Sequence, residues 1–309
     1  MSFLFRKIAI VGSGAIGTLY GSRLQEAGHE VHFLMRSDYE AVKQRGSIIV
    51  RENSGERVIS PVLVHASSAE IGICDLVLIT LKTTSNADLP GILGPLVAPG
   101  TSVVTLQNGF GSEEFLATFL PPESIMGGLC FVGVHRTGPG ELKGFQTPGY
   151  ITLGEFNRPP NERTRAVADC LSAAGIPTTV AESLAGARWE KLMWNIPYNG
   201  LSIAAGCIPT DQIMRDPVLV DEVRALMHEV VRAAAAEGYV IPEARIEARI
   251  AGTPKIGAYR PSSLVDHLAG RLVEVESIWA EPLRRARARG VDTPRLALLH
   301  ALLRSICRH

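Results

Sequence analysis

The chain has 309 residues, enough for about two domains, and its 31 basic and 31 acidic residues balance. This balance gives no electrostatic reason to expect a nucleic acid or an anionic membrane as a partner. The five cysteines are scattered without Cys-x-x-Cys or Cys/His spacing, and no apolar run reaches the ~18 residues of a membrane helix. We therefore expect a cytoplasmic protein with reduced thiols and without a metal site.

The chain opens with a pattern typical of a β-α-β unit. A buried strand is predicted over 7–11, a helix over 15–26, and a second strand over 30–35. Such a crossover favours a parallel sheet. Further strands are predicted at 48–50, 62–65, 76–81, 102–106, 125–134 and 150–154.

Beyond about residue 183 the pattern becomes helical. Helices are predicted at 187–202, 217–237, 243–251, 264–271, 274–289 and 294–307. We expect an α/β domain over residues 1–183 and an all-helical domain over 184–309. The basic run 284–289 is interpreted as the solvated last turns of a helix rather than a nucleic-acid patch.

A glycine loop joins the first strand to the first helix. Its six residues are Gly12, Ser13, Gly14, Ala15, Ile16 and Gly17. In this context the three glycines suit a tight turn, a close approach to a pyrophosphate, and helix-strand packing. The helix N-terminus adds N–H groups for a phosphate. The loop indicates a dinucleotide on a Rossmann-type open parallel sheet, with an ordinary tight turn as the alternative.

The end of the second strand indicates which dinucleotide is bound. An NAD site usually has an acid about twenty residues beyond the loop, but here Arg36 follows Leu34 and Met35. An arginine suits a 2′-phosphate, so NADPH is the predicted cofactor. Asp38 lies two residues later and leaves NAD as the alternative.

Two later strands also end in polar residues. Lys82 and Asn108 lie just beyond them, where ligands bind in open α/β sheets. Taken alone, a lysine such as Lys82 is more often solvated than functional, whereas Asn108-Gly109 could equally be a turn.

A polar stripe marks the first helix of the helical region. Lys191, Asn195 and Asn199 are spaced at i, i+4 and i+8, so successive members are offset by ~40° on one helix face. One amine and two amides on an otherwise apolar helix predict a donor-rich wall for a polar substrate. The alternative is a set of buried residues bonded to neighbouring backbone. Pro197 is expected to kink the helix and bend the stripe.

Two further positions have sufficient structural explanations by themselves. Ser262 or Ser263 suits the N-cap of a helix, and Glu274 suits the first turn of the next one. No spacing argument connects them to Lys191.

Together these pieces resemble the ketopantoate reductase (2-dehydropantoate 2-reductase) family over essentially the full length. The resemblance rests on the joint order of motifs that are each modest alone. They are Gly12-x-Gly14-x-x-Gly17, the Arg36 segment, Leu81-Lys82, Gln107-Asn108-Gly109, Lys191-x-x-x-Asn195-x-x-x-Asn199, Ser262-Ser263, Glu274 and the tail 283–294.

The resemblance implies roles for these residues. NADPH would lie on the glycine loop, with Arg36 and Lys82 near its adenosine phosphate end and Asn108 between cofactor and substrate. Lys191 would be the general acid that protonates the ketone oxygen. Glu274 would hydrogen-bond that oxygen and help to position Lys191. The substrate's hydroxyl and carboxylate would be held by Asn195, Asn199 and Ser262 or its neighbour Ser263.

The implied reaction is NADPH-dependent reduction of 2-dehydropantoate to pantoate, on the route to coenzyme A. The segment Val273-Glu274-Val275-Glu276 and Pro197 depart from the family's usual residues, and Glu276 is a second candidate acid. The alternatives are therefore reduction of another 2-keto acid, or a non-catalytic NADP-binding sensor. The presence of Lys191 and Glu274 argues against a sensor. A monomer and a homodimer both suit the sequence.

Overall fold

The computed structural model describes residues 5–307, which fold into two compact units. The first unit runs to Gln107 and resumes from Ser112 to Leu184. The second unit consists of Asn108–Gly111 and the chain from Ala185 onward. The short segment Asn108–Gly111 thus packs with the helical part of the chain, although its sequence position lies within the α/β part.

The first unit is built on a sheet with ten strands in the described residues, ordered β4-β3-β9-β8-β7-β6-β1-β2-β5, with β10 paired to β9. The strands are β1 (Lys7–Val11), β2 (Glu30–Leu34), β3 (Ile48–Glu52), β4 (Gly55–Ile59), β5 (Leu63–His65), β6 (Leu76–Ile79), β7 (Ser102–Thr105), β8 (Ile125–Gly138), β9 (Glu141–Glu155) and β10 (Thr178–Val180). The α-helices of this unit are α1 (Ala15–Glu26), α2 (Tyr39–Arg45), α3 (Leu89–Leu93), α4 (Ser112–Leu116) and α5 (Glu162–Ala173).

The central strands are apolar on both faces. Ile8 and Ile10 join one hydrophobic core, whereas Ala9 and Val11 join another on the opposite face. All four residues are fully buried. Burial on both faces is typical of a parallel sheet covered by helices, and it confirms the predicted α/β class.

The parallel order β7-β6-β1-β2-β5 agrees with the predicted Rossmann-type sheet, but the rest of the sheet is mixed. β8 and β9 pair antiparallel, as do β3 and β4. Only Pro139 and Gly140 join β8 to β9, and a connection that short can return the chain only antiparallel. Gly140 has φ +62°, which suits such a tight turn.

The second unit is helical, as predicted. Its α-helices are α6 (Leu184–Ala204), α7 (Thr210–Arg215), α8 (Pro217–Ala236), α9 (Glu243–Gly252), α10 (Ser262–Leu268), α11 (Glu281–Ala288) and α12 (Pro294–Ile306). The start of α8 shows clear capping, since the Asp216 carboxylate accepts from the N–H groups of Val218 and Leu219, and Pro217 occupies the first turn. The core of the second unit contains the buried side chains of Trp189, Tyr198 and Trp279.

Two proline positions in this unit behave differently. α6 continues as one helix through Pro197. The single helix predicted for 274–289 is instead a π-helical turn, Glu276–Ala280, followed by α11. Pro282 lies in the first turn of α11 and has no N–H for the preceding turn, which accounts for the wider winding there.

All five cysteines carry free thiols. Among residues 5–307, every helix is too short or too polar to cross a bilayer.

Candidate active site

The glycine loop and the segments that follow β2, β6 and β7 lie at one edge of the first unit's sheet. Val11 at the end of β1 is in register with Leu34 of β2 and with Ile79 of β6, and Ile79 is in register with Thr105 of β7. The carboxyl ends of four parallel strands therefore coincide, and this edge is where open α/β sheets bind ligands.

The loop itself is held tightly. Gly12 has φ +100°, and its carbonyl oxygen accepts a hydrogen bond from the Thr80 hydroxyl. Ser13 donates through its hydroxyl to the Leu34 carbonyl at 3.1 Å, and Gly14 N–H donates to the Gly12 carbonyl at 2.8 Å. These bonds fix the loop between β1, β2 and the segment after β6.

The geometry of the loop fits a dinucleotide pyrophosphate. Gly14 is the N-cap of α1 and offers no side chain to cap it, so Ala15, Ile16 and Gly17 present first-turn N–H groups to a ligand. A Cβ on Gly14 would meet no heavy atom of the described residues within 4 Å. A Cβ on Gly17 would clash, with the Ile10 side chain at 2.8 Å. One glycine thus keeps space open, and another permits close packing.

Arg36 and Asp38 have very different surroundings. Arg36 is exposed just beyond β2. Asp38 is buried, and its carboxylate accepts from the Gly140 N–H at 2.9 Å and pairs with Arg136 at 2.6 Å. The Asp38 carboxylate is therefore engaged with the β8-β9 hairpin.

Lys82 is exposed beyond β6 and precedes a 3-10 turn, Thr83–Asp88. From β7, Gln107 turns back into the first unit, with its amide nitrogen donating to Asn86 Oδ1 at 2.7 Å and its amide oxygen accepting from the Thr105 hydroxyl at 3.0 Å. Gln107 thereby fixes the chain immediately before Asn108.

In the second unit the predicted general acid has a defined partner. Lys191 Nζ donates to Asn108 Oδ1 at 2.8 Å, across 83 residues of sequence. Both side chains are half-buried. A charge-assisted bond of this length fixes the direction of the ammonium.

The other polar residues of α6 are differently placed. Asn195 is half-buried, whereas Asn199 is buried and its Oδ1 accepts from the Ser263 backbone N–H at 3.1 Å. Ser262 is exposed in the first turn of α10, and Ser263 is buried. The two serines are thus distinguished, since the buried Ser263 supports Asn199 and Ser262 is exposed to a ligand or solvent.

The two candidate acids also separate. Glu274 is buried, whereas the Glu276 side chain is 77% exposed and pairs with Arg284 at 3.3 Å. The basic run near the C-terminus lies in and just after α11, and Arg284 and Arg285 there form ion pairs with Glu281. Burial therefore favours Glu274 as the acid at a site.

Several supporting residues gave no functional signal in the sequence. Arg188 is buried and donates to the Gly109 carbonyl at 2.9 Å, and Phe110 N–H donates to the Ser277 carbonyl at 2.9 Å. Arg188 lies one helical turn before Lys191, but this position did not indicate its partner, which lies 79 residues away.

Two tyrosines flank the polar residues along the chain. Burial raises the pKa of Tyr198 and of Tyr259 above the ordinary value, so both remain neutral hydroxyls at physiological pH. Tyr198 donates to the Met214 sulfur at 3.2 Å.

Comparison with known proteins gives consistent matches. A family model described as "Ketopantoate reductase PanE/ApbA" matches residues 8–158, and one described as its "C terminal" matches residues 183–306. A 2-dehydropantoate 2-reductase from Nostoc sp. is 40% identical, with 97% of this chain and 94% of that protein covered. The crystal structure of a 2-dehydropantoate 2-reductase from Geobacter metallireducens has a TM-score of 0.94 at 38% identity, with 97% and 99% covered. That of the enzyme from Methylococcus capsulatus has a TM-score of 0.87 at 37% identity, with 97% and 96% covered.

Proposed function

The chain belongs to the ketopantoate reductase family, and we propose that it reduces 2-dehydropantoate to pantoate with NADPH, using Lys191 as the general acid. The observation that carries this proposal is the 2.8 Å hydrogen bond from Lys191 Nζ to Asn108 Oδ1. This bond directs the Lys191 ammonium group and fixes the Asn108 amide beside it.

The orientation of two amides supports an acceptor-rich substrate. Asn108 uses its oxygen to accept from Lys191, and Asn199 uses its oxygen to accept from Ser263. The NH2 group is then what each amide can offer to a ligand. Two NH2 groups and an ammonium suit the ketone and carboxylate oxygens of a 2-keto acid.

When bound, the nicotinamide cofactor would supply the hydride that adds to the ketone carbon. Negative charge develops on the ketone oxygen, where the Lys191 ammonium stabilises it and transfers a proton. Glu274 accepts a hydrogen bond from the resulting hydroxyl. Asn195, Asn199 and Ser262 hold the substrate's hydroxyl and carboxylate, and Ser263 keeps Asn199 in place.

The first unit supports NADPH rather than NADH. Asp38 was the acid that left NAD as an alternative, but its carboxylate is bonded to Gly140 and Arg136. Arg36 is exposed beyond β2, where a guanidinium suits a 2′-phosphate. In this assignment Lys82 also faces the adenosine phosphate end, and Gly12–Gly17 hold the pyrophosphate.

We place the enzyme in the cytoplasm, in pantothenate and coenzyme A biosynthesis, as a monomer or homodimer with a cofactor domain over 1–183 and a substrate domain over 184–309. The second candidate is a reductase of another 2-keto acid. It is favoured by the unusual segment Val273–Glu276 and by Pro197 within α6.

A substrate screen tests the proposal. Purified protein is mixed with NADPH or NADH and with 2-dehydropantoate, 2-ketoisovalerate, pyruvate or phenylglyoxylate, and loss of reduced-cofactor absorbance is followed. We expect the highest kcat/KM with 2-dehydropantoate and NADPH. Preference for another acid would support the second candidate, and NADPH binding without turnover of any acid would support a sensor.

A further inference from the structure

The segment Asn108–Gly111 is fixed to the second unit at three consecutive residues. Asn108 accepts from Lys191 through its side chain, Gly109 accepts from Arg188 through its carbonyl, and Phe110 donates to the Ser277 carbonyl through its N–H. The segment thus has bonds to α6 on one side and to the π-helical turn on the other.

On the α6 side, the loop is held by two cationic side chains of the same helix, Arg188 and Lys191. Arg188 precedes Lys191 by three residues, so the two side chains leave the helix about 60° apart and reach neighbouring loop residues. Arg188 is only 3% exposed, and a guanidinium is costly to bury unless it is well hydrogen-bonded. The bond to the Gly109 carbonyl satisfies one of its N–H groups, and an apolar side chain could not make that bond.

On the side of the π-helical turn, the loop backbone has little conformational freedom. Gly109 has φ +85°, and a Cβ there would collide with the backbone of Ser277. The Phe110 ring packs edge-on against Trp189, with centroids 4.9 Å apart, and the Arg285 guanidinium lies 4.2 Å over it. The loop backbone is therefore held on both sides, and this limits the positions that the Asn108 side chain can take.

We infer that Arg188 is a positioning residue for the general acid: by holding the Gly109 carbonyl, it keeps Asn108 Oδ1 where it receives the Lys191 ammonium. This inference rests on the proposed function of Lys191. Without the Arg188 bond, the peptide between Gly109 and Phe110 loses the partner of its carbonyl and is held at its N–H by Ser277. The loop that carries Asn108 can then shift, and the Lys191 ammonium loses its directed acceptor. Proton transfer to the substrate then slows, while cofactor binding by the first unit is unaffected.

A double-mutant cycle tests this inference. The variants are Arg188→Met, Asn108→Ala and the two combined, with Arg295→Met as the matched control because Arg295 is a half-exposed arginine of the same unit that pairs with Glu222. Removing a charge-assisted bond is typically worth about 10- to 100-fold, and we expect this loss in kcat for Arg188→Met with KM for NADPH unchanged. The combined variant should be no slower than Asn108→Ala, because both changes act through one bond.

Multiplying losses in the combined variant would overturn the inference, since Arg188 would then act independently of Asn108. Arg188→Lys keeps a donor and should restore most of kcat, and it also carries the cycle if Arg188→Met does not fold. Equal losses for the lysine and methionine variants would contradict the role of the bond.

The cycle is measured with whichever 2-keto acid the wild type reduces, so a different substrate leaves it intact. A wild type that reduces none of them would overturn the proposed function. A crystal structure of Arg188→Met then tests the positioning alone. We expect Asn108 Oδ1 to lie beyond hydrogen-bond distance of Lys191 Nζ, and an unchanged distance would refute it.

Discussion

The two units hold their candidate functional residues in different ways. In the first unit, the glycine loop, Arg36 and Lys82 lie where four parallel strands end in register, so backbone geometry places them. In the second unit, side-chain hydrogen bonds join Lys191 to Asn108 and Asn199 to Ser263, across 83 and 64 residues of sequence. A site positioned by the backbone depends on its glycines and on strand register. A site positioned by side chains depends on each residue of every hydrogen-bonded pair.

This difference predicts different responses to substitution. A change in the first unit should act on cofactor affinity or on folding of the loop. A change in the second unit should act on kcat with little effect on the cofactor. Each variant below separates these outcomes.

Lys191→Ala should give the largest effect. Loss of the general acid typically reduces the rate by ~10²–10⁴-fold, and we expect this in kcat while NADPH affinity stays at the wild-type value. Stopped-flow turnover and fluorescence titration of NADPH measure the two quantities. Lys255→Ala, an exposed lysine of the same unit, is the control. An equal loss in affinity would move Lys191 to cofactor binding and remove the contrast between the units.

Substitution of two glycines of the loop should affect different properties, stability at Gly17 and NADPH binding at Gly14. A Cβ on Gly17 clashes with Ile10 and the Thr80 hydroxyl, so Gly17→Ala should lower the free energy of unfolding by about 1–3 kcal/mol. A Cβ on Gly14 has open space, so Gly14→Ala should fold normally but weaken NADPH binding by occupying the phosphate's space. Urea unfolding and NADPH titration measure both variants. Normal NADPH binding by Gly14→Ala would show that the pyrophosphate does not approach this position.

Much of the first unit could be predicted because its signals are local. The strand 7–11, the helix 15–26 and the glycine loop between them follow from apolar runs and glycine spacing, and the structure has the same bounds. The β8-β9 hairpin was not predicted, because β9 carries Gly144, Pro148 and Gly149, which interrupt its alternation and favour loops. The parallel direction of these strands followed from the crossover rule, whereas their register is seen only in the structure.

The second unit could be predicted as helices but not as a network. The spacing of Lys191, Asn195 and Asn199 predicted one face of α6, and only the fold shows that the Ser263 N–H donates to Asn199 and holds its side chain. Arg188 and Ser277 gave no signal, because their functional atoms contact backbone groups of a distant segment. Hydrogen bonds to backbone leave no pattern of residue types to detect in a single sequence.

Arg36→Ala tests the site positioned by the backbone by its chemistry. A guanidinium-phosphate bond is typically worth ~1.5–3 kcal/mol, so KM for NADPH should rise by about 10- to 100-fold while KM for NADH stays the same. Steady-state kinetics with both cofactors measure this, and Arg51→Ala, a half-exposed arginine on β3, is the control. A parallel rise for NADH would mean that Arg36 supports the loop rather than a 2′-phosphate.

Acid should affect the first unit more than the second, and this is the smallest expected effect. Burial, assisted by His32 at 2.9 Å, lowers the pKa of His65, and burial also lowers the pKa of His135. A buried base with a lowered pKa favours its neutral form. Its full contribution to stability is therefore present above the ordinary pKa of about 6.5 and is lost as pH falls below that value. In the second unit, burial lowers the pKa of His300 in the same direction.

The tryptophans allow the two units to be followed separately. All three, Trp189, Trp194 and Trp279, lie in the second unit, so their fluorescence reports that unit whereas far-UV circular dichroism reports both. On lowering the pH from 8 to 5, the urea midpoint from circular dichroism should fall further than the midpoint from fluorescence. His65→Gln removes one proton-binding group from the first unit and should narrow this gap. Equal shifts of both midpoints, or an unchanged gap in His65→Gln, would mean that the acid response does not arise from these histidines of the first unit.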